Sequence, residues 1–145
     1  MFLGGEKMHR EIKDNIYWTG AIDWKAREFH GYKTKFGTTY NSYVINDEKN
    51  ALIDTVKEGF ESQLLERLEH SGIDDLDYII VNHIEMDHAG SLEKVMEEYP
   101  DAQIVTNKRA KKGLIDAYGM DIEDVKIVET GDELDLGEKT LTFLK

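Results

Sequence analysis

The residues of this 145-residue chain best able to do chemistry together stand in one run, His83-Ile84-Glu85-Met86-Asp87-His88. His83, Glu85 and Asp87 occupy alternate positions, and in extended backbone alternate side chains project to the same side. One imidazole and two carboxylates can then converge on one point, with His88 facing a neighbouring one. Two adjacent carboxylates repel when both are ionised, and a multivalent cation removes that penalty. Four candidate ligands in six residues, directly after a buried strand, mark a metal-binding loop rather than a polar surface loop that holds two histidines by chance.

Composition narrows the metal and excludes other chemistries. The chain has no cysteine, which rules out a disulfide framework, a thiolate zinc site, an iron–sulfur cluster held by the chain and a cysteine nucleophile. It also rules out the zinc deaminases, which share the His-x-Glu pair but need a Pro-Cys-x-x-Cys partner. Imidazole and carboxylate remain, donors that suit iron, manganese or zinc. A formal net charge of −12 argues against a nucleic-acid partner, because phosphate binding needs a basic surface. The cations Lys108-Arg109 and Lys111-Lys112 read as the solvated face of a helix. No signal pattern opens the chain, and no apolar run approaches the roughly 18 residues of a membrane span. The default reading is a cytoplasmic protein without membrane contact.

The elements that must position the loop follow from periodicity. Asn15 to Ile22 is aromatic and β-branched and reads as one strand. A polar stretch from Asp23 to Thr38 follows, and then Thr39 to Ile45 and Ala51 to Ile53 form a hairpin around a turn at Asn46 to Asn50. Phe60, Leu64, Leu65 and Leu68 share a helical face, and Gly72 ends that helix. Leu76 to Val81 finishes in four strand-forming residues, the mark of a strand covered on both faces. Ligand sites in α/β sheets gather at the carboxyl ends of such strands, where this loop begins. A helix over Leu92, Val95, Met96 and Tyr99 stops at Pro100. Ile104 to Thr106 is a short strand, and Ala110, Leu114, Ala117 and Tyr118 line a third helix closed by Gly119. Val125 to Val128, Asp132 to Leu136 and Thr140 to Leu144 are short strands. The order implies one α/β layered domain over residues 1–145. The chain ends inside an expected strand, leaving a sheet edge unshielded, so the sequence reads as a piece of a larger protein.

The loop resembles the metallo-β-lactamase superfamily, whose signature is His-x-His-x-Asp-His. Glu85 in place of the second histidine is the mark of one branch, the flavodiiron proteins, which reduce dioxygen to water or nitric oxide to nitrous oxide. The resemblance covers essentially the whole chain. It extends over His83 to Ser91, Ile22-Asp23-Trp24, Phe29-His30-Gly31-Tyr32 and Gly37 to Tyr43. It implies a metallo-β-lactamase-like αββα sandwich, of which this chain holds the N-terminal half. It implies that His83 and Glu85 ligate one iron and Asp87 the other. His88 is a ligand in hydrolytic relatives, but in this branch often sits beside the iron with water between. Carboxylates are hard donors that favour higher iron oxidation states, whereas a tri-histidine zinc site suits a hydrolytic water.

Other residues are assigned less directly. In the family the segment that holds His30 lies near the diiron pocket, where the imidazole could hydrogen-bond or protonate bound oxygen species; otherwise His30 is a loop histidine that caps backbone groups. Asp54 either orients the loop backbone or a ligand imidazole, or is an ordinary strand-end turn residue. Tyr17, Trp18, Tyr40 and Tyr43 read as core aromatics rather than electron relays, and His9 and His70 as exposed. The resemblance also implies further iron ligands beyond Lys145, and FMN in a flavodoxin-like domain that this sequence lacks or in a dimer partner. Nothing here resembles an FMN phosphate loop. A rubredoxin-like or flavin electron donor and a head-to-tail homodimer are implied as partners, with weak metal affinity and no oxygen reduction for these residues alone. Two rivals stand beside it: a non-catalytic diiron oxygen sensor, which shares the loop, and a zinc hydrolase of the wider superfamily.

Overall fold

The computed structural model describes residues 10–144, and His9 lies outside them. The first strands are β1 (Arg10–Lys13), β2 (Ile16–Trp18), β3 (Ala21–Asp23), β4 (Glu28–Phe29), β5 (Tyr32–Lys33), β6 (Thr38–Tyr40), β7 (Tyr43–Ile45) and β8 (Ala51–Ile53). Helix α1 (Glu61–His70) leads to β9 (Tyr78–Ile80), and α2 (Met86–Ala89) and α3 (Leu92–Glu98) to β10 (Gln103–Thr106). Helix α4 (Lys108–Tyr118), β11 (Val125–Ile127), β12 (Glu133–Asp135) and β13 (Thr140–Thr142) complete the chain.

Seven strands form one mixed sheet in the order β1-β2-β7-β8-β9-β10-β11. The half from β1 to β8 is antiparallel, and β8, β9, β10 and β11 run parallel. The parallel connections carry the helices, because such crossovers need a long return path. Strand alternation divides the sheet into two faces. Val44, Leu52, Ile79 and Ile104 face Leu64 and Leu68 of α1, Leu92 and Val95 of α3 and Leu114 of α4. Ile45, Ala51, Ile80 and Val105 face the other way, against Val128, Leu134 and Leu136 near the β12–β13 hairpin. Each fully buried Leu, Ile or Val contributes about 1.5–3 kcal/mol of transfer free energy. A helical layer, a sheet and the start of a second β layer make up the first half of the expected αββα sandwich.

The strands near the site are more broken than periodicity implies. Asn15 to Ile22 is not one strand: β2 joins the large sheet, while β3 pairs with β6 in a separate ladder. Thr39 to Ile45 divides in the same way at Asn41-Ser42. Gly20 permits the crossing, since a Cβ there would sit 2.1 Å from the Tyr40 carbonyl oxygen. The stretch from Asp23 to Thr38 holds the two-residue strands β4 and β5, too short to show a period. In α4, Ala110 and Leu114 are buried, but Ala117 and Tyr118 are exposed. Tyr40 is a core residue, while Tyr17, Trp18 and Tyr43 are half-buried. His70 is exposed, and so are Lys108, Arg109 and Lys112. No helix among the described residues is long and apolar enough to cross a membrane.

Candidate metal centre

The loop from Asn82 to His88 leaves the sheet at the carboxyl end of β9, between β8 and β10. Backbone hydrogen bonds hold its start in place: Val81 N–H donates to the Val105 carbonyl, and Thr106 Oγ1 donates to the Val81 carbonyl at 2.8 Å. At Glu85 the backbone is extended, with φ −62° and ψ 153°, and the chain then turns into the short helix α2. This corrects the expected alternation. Past Glu85 each residue turns by about 100° rather than 180°, so Asp87 does not continue a one-sided row with His83 and Glu85.

The group that converges is therefore assembled from two places. One ligand atom each from His30, Glu85 and Asp87 lies within 4.8 Å of the others. His30 Nε2 is 3.3 Å from Glu85 Oε2 and 3.8 Å from Asp87 Oδ1. His83 joins through Glu85, with its Nε2 3.4 Å from Glu85 Oε1. His88 Nε2 is 3.1 Å from Asp87 Oδ2, and the rings of His83 and His88 meet edge to face at 5.0 Å. All five candidate residues thus occupy one neighbourhood. Asp87 is the most enclosed of the five side chains, at 13% exposure, while Glu85 and His30 are about half exposed.

His30 arrives on the β4–β5 hairpin. His30 and Gly31 form its two-residue loop with φ of 48° and 78°, the pair of positive values that a type I′ turn requires. Glycine adopts that conformation freely, whereas His30 is strained by it. Phe29 anchors the turn, edge-on to His30 at 4.2 Å and packed on Tyr40 at 5.9 Å. Asp23 fixes the root of this arm, capping the N–H groups of Lys25 and Ala26 and accepting from Tyr40 Oη at 2.7 Å. That hydroxyl is the main reason the Asp23 carboxyl is held below its usual range. Burial, and then the Asp23 carboxylate, push the Tyr40 phenol well above its ordinary value.

Asp54 supports the loop from beneath. It is 6% exposed and takes a left-handed φ of 57° at the end of β8. Oδ1 accepts from Asn82 N–H at 2.7 Å and from His83 N–H at 3.2 Å, while Oδ2 lies 3.2 Å from His88 Nδ1. Asp54 therefore orients both loop backbone and an imidazole, and is more than a strand-end turn residue. Burial pushes its carboxyl up from the usual range, against the pull of the two backbone donors and His88. Thr55 fastens the other end, donating from both N–H and Oγ1 to the His88 carbonyl at 2.7 Å. Sequence pattern gave no sign of Thr55, nor of Lys57 and Tyr118. These last two line a cleft of about 310 Å³ with Phe29, His30, Glu85, Met86 and Asp87.

The donor set is nitrogen and oxygen only, rich in carboxylate and gathered at a cleft. That fits a hard or borderline cation of the iron, manganese or zinc kind.

Comparison with known proteins adds an independent line. The profile of the Metallo-beta-lactamase superfamily matches residues 37–144. The nitric oxide reductase of Moorella thermoacetica is 45% identical over 139 residues, which is 92% of this chain and 34% of that protein. Among solved structures, rubredoxin oxygen:oxidoreductase from Desulfovibrio gigas superposes with a TM-score of 0.86 at 36% identity, over 94% of this chain and 35% of that one. The flavodiiron protein from Giardia intestinalis superposes at 0.85 and 35% identity, over 98% and 34%. The chain spans about a third of the length of these relatives.

Proposed function

This chain belongs to the metallo-beta-lactamase superfamily, and from that premise we propose that it forms the metal-bearing N-terminal part of a flavodiiron oxidoreductase that reduces dioxygen or nitric oxide. The observation that carries the proposal is the convergence of Glu85 and Asp87 within 4.8 Å, with His83 against Glu85 and His30 facing both carboxylates. Relatives named nitric oxide reductase and rubredoxin oxygen:oxidoreductase support the reaction class.

His83 and Glu85 hold one iron in this reading, and Asp87 the other; ligands outside these residues complete the pair. When bound, a ferrous pair would supply electrons for reducing dioxygen or nitric oxide. The chain's own residues do the rest. Asp54 fixes the Asn82–His83 backbone and the His88 ring, so little reorganisation is needed on metal binding. Reduction consumes protons, and His30 can hold one at Nε2, facing both carboxylates and open to solvent. Phe29 and Met86 give the cleft its apolar wall. A cytoplasmic head-to-tail homodimer that takes electrons from a rubredoxin-like or flavin donor completes the proposal. The test is uptake of oxygen and of nitric oxide by the anaerobically iron-loaded full-length protein with reduced FMN. Uptake that vanishes in Glu85→Ala is expected, and no uptake above that variant contradicts the proposal.

A further inference from the structure

Asp54 holds an unfavourable backbone conformation, φ 57°, and a pair of buried hydroxyls stands directly behind it. Ser42 Oγ donates to the Asp54 carbonyl at 2.9 Å, and Thr19 Oγ1 lies 3.0 Å from Ser42 Oγ. Both side chains are fully buried. A hydroxyl has one proton to give. With Ser42's proton committed to Asp54, Thr19 must be the donor to Ser42, so the chain of bonds runs Thr19 to Ser42 to Asp54. Each bond polarises the next in a low-dielectric interior. The two residues also meet through their backbones, Thr19 N–H donating to the Ser42 carbonyl at 2.8 Å. They sit at the two breaks described above, between β2 and β3 and between β6 and β7. Apolar residues would fill these places without the desolvation cost of hydroxyls, so packing alone does not account for the choice.

We infer that Thr19 and Ser42 are positioning residues for the metal loop: their hydroxyl chain fixes the Asp54 backbone so that its carboxylate reaches the Asn82 and His83 N–H groups and the His88 ring. The consequence for metal binding rests on the function proposed above, but the positioning itself does not.

Two readouts on the full-length protein separate these. The first is amide hydrogen exchange of the metal-free protein in Ser42→Ala and in the near-isosteric Thr19→Val. Exchange at Asn82 and His83 is expected to quicken about tenfold, with Leu114 in α4 unchanged and with Thr19→Ser behaving as wild type. Unaltered exchange at Asn82 and His83 overturns the inference, as does equal quickening at Leu114, which is the result of general loosening. The second is titration with Co²⁺, followed by its visible absorption. Ser42→Ala is expected to weaken binding about tenfold, at the low end for groups that support ligands. Unchanged affinity in Ser42→Ala, with binding lost in Glu85→Ala, overturns the link to the metal. Binding undiminished in Glu85→Ala overturns the metal reading instead and leaves the exchange result to stand or fall alone.

Discussion

The two sides of the candidate centre are built in different ways. The loop from Asn82 to His88 is fastened to the largest sheet in the molecule. Asp54, Thr55 and Thr106 are all buried; Asp54 and Thr55 bond its backbone, and Thr106 bonds the Val81 carbonyl just before it. The opposite side, carrying His30, is a hairpin of two-residue strands with two ladder pairs, exposed along most of its length. Tyr32 and Lys33 within it are exposed, Tyr32 at 77%, and so are Trp24 and Phe36 on either side in sequence, at 68% and 75%, with Lys25, Arg27 and Lys35. The difference fits the roles proposed above. Groups that must not move belong on the buried network, whereas a group that carries a proton in from solvent belongs on the exposed arm.

Substitutions on each side should separate the two. The largest effect is expected from Glu85→Ala or Asp87→Ala, which should weaken Fe²⁺ or Co²⁺ binding by more than about 100-fold, beyond the range for supporting groups. Asp54→Ala comes next. It leaves two backbone N–H groups without their acceptor, at about 1–3 kcal/mol each where no water replaces it, and should lower metal affinity about 10- to 100-fold. Denaturant unfolding and metal titration check both parts. His30→Ala should behave differently, changing stability by less than about 0.5 kcal/mol while lowering turnover in the iron-loaded full-length protein. If His30→Ala costs as much stability as Asp54→Ala, the contrast between the two sides fails.

The smallest effect concerns the root of the arm. Asp23 has its folded pKa below the ordinary 3.8, so the unfolded chain binds its proton first as pH falls. Its contribution to stability is complete above 3.8 and is lost as pH drops through the depressed folded value. Tyr40→Phe removes the largest cause of that shift. The stability gap between wild type and Tyr40→Phe should therefore be widest above pH 4 and narrow under stronger acid; a gap that widens in acid contradicts this account of Asp23.

The buried side of the centre was partly legible in the sequence, and the exposed side was not. Ligand-forming residue types crowded into His83 to His88 announce themselves, and four strand-forming residues ending at Val81 place them at the end of a buried strand. The helices of α1, α3 and α4 show through their period, and the hairpin of β7 and β8 through its turn. Strands of two residues have no period, so β4 and β5 were invisible and His30 could be placed only by resemblance. Alternation placed Asp87 with Glu85, as found, but for the wrong reason, because the helical turn that starts at Met86 is shorter than any pattern window. Thr19 and Ser42 read as ordinary strand residues, since a hydroxyl aimed inward is known only once the strands around it break.

In the proposed function Glu85, with His83 and Asp87, makes an iron site for reduction rather than a zinc site for hydrolysis. Metal analysis of the full-length protein expressed in iron-replete medium tests it most directly, with Glu85→Ala alongside. Iron that is retained by the wild type and lost from Glu85→Ala is the predicted result. Stoichiometric zinc accompanied by esterase or lactamase activity would contradict it.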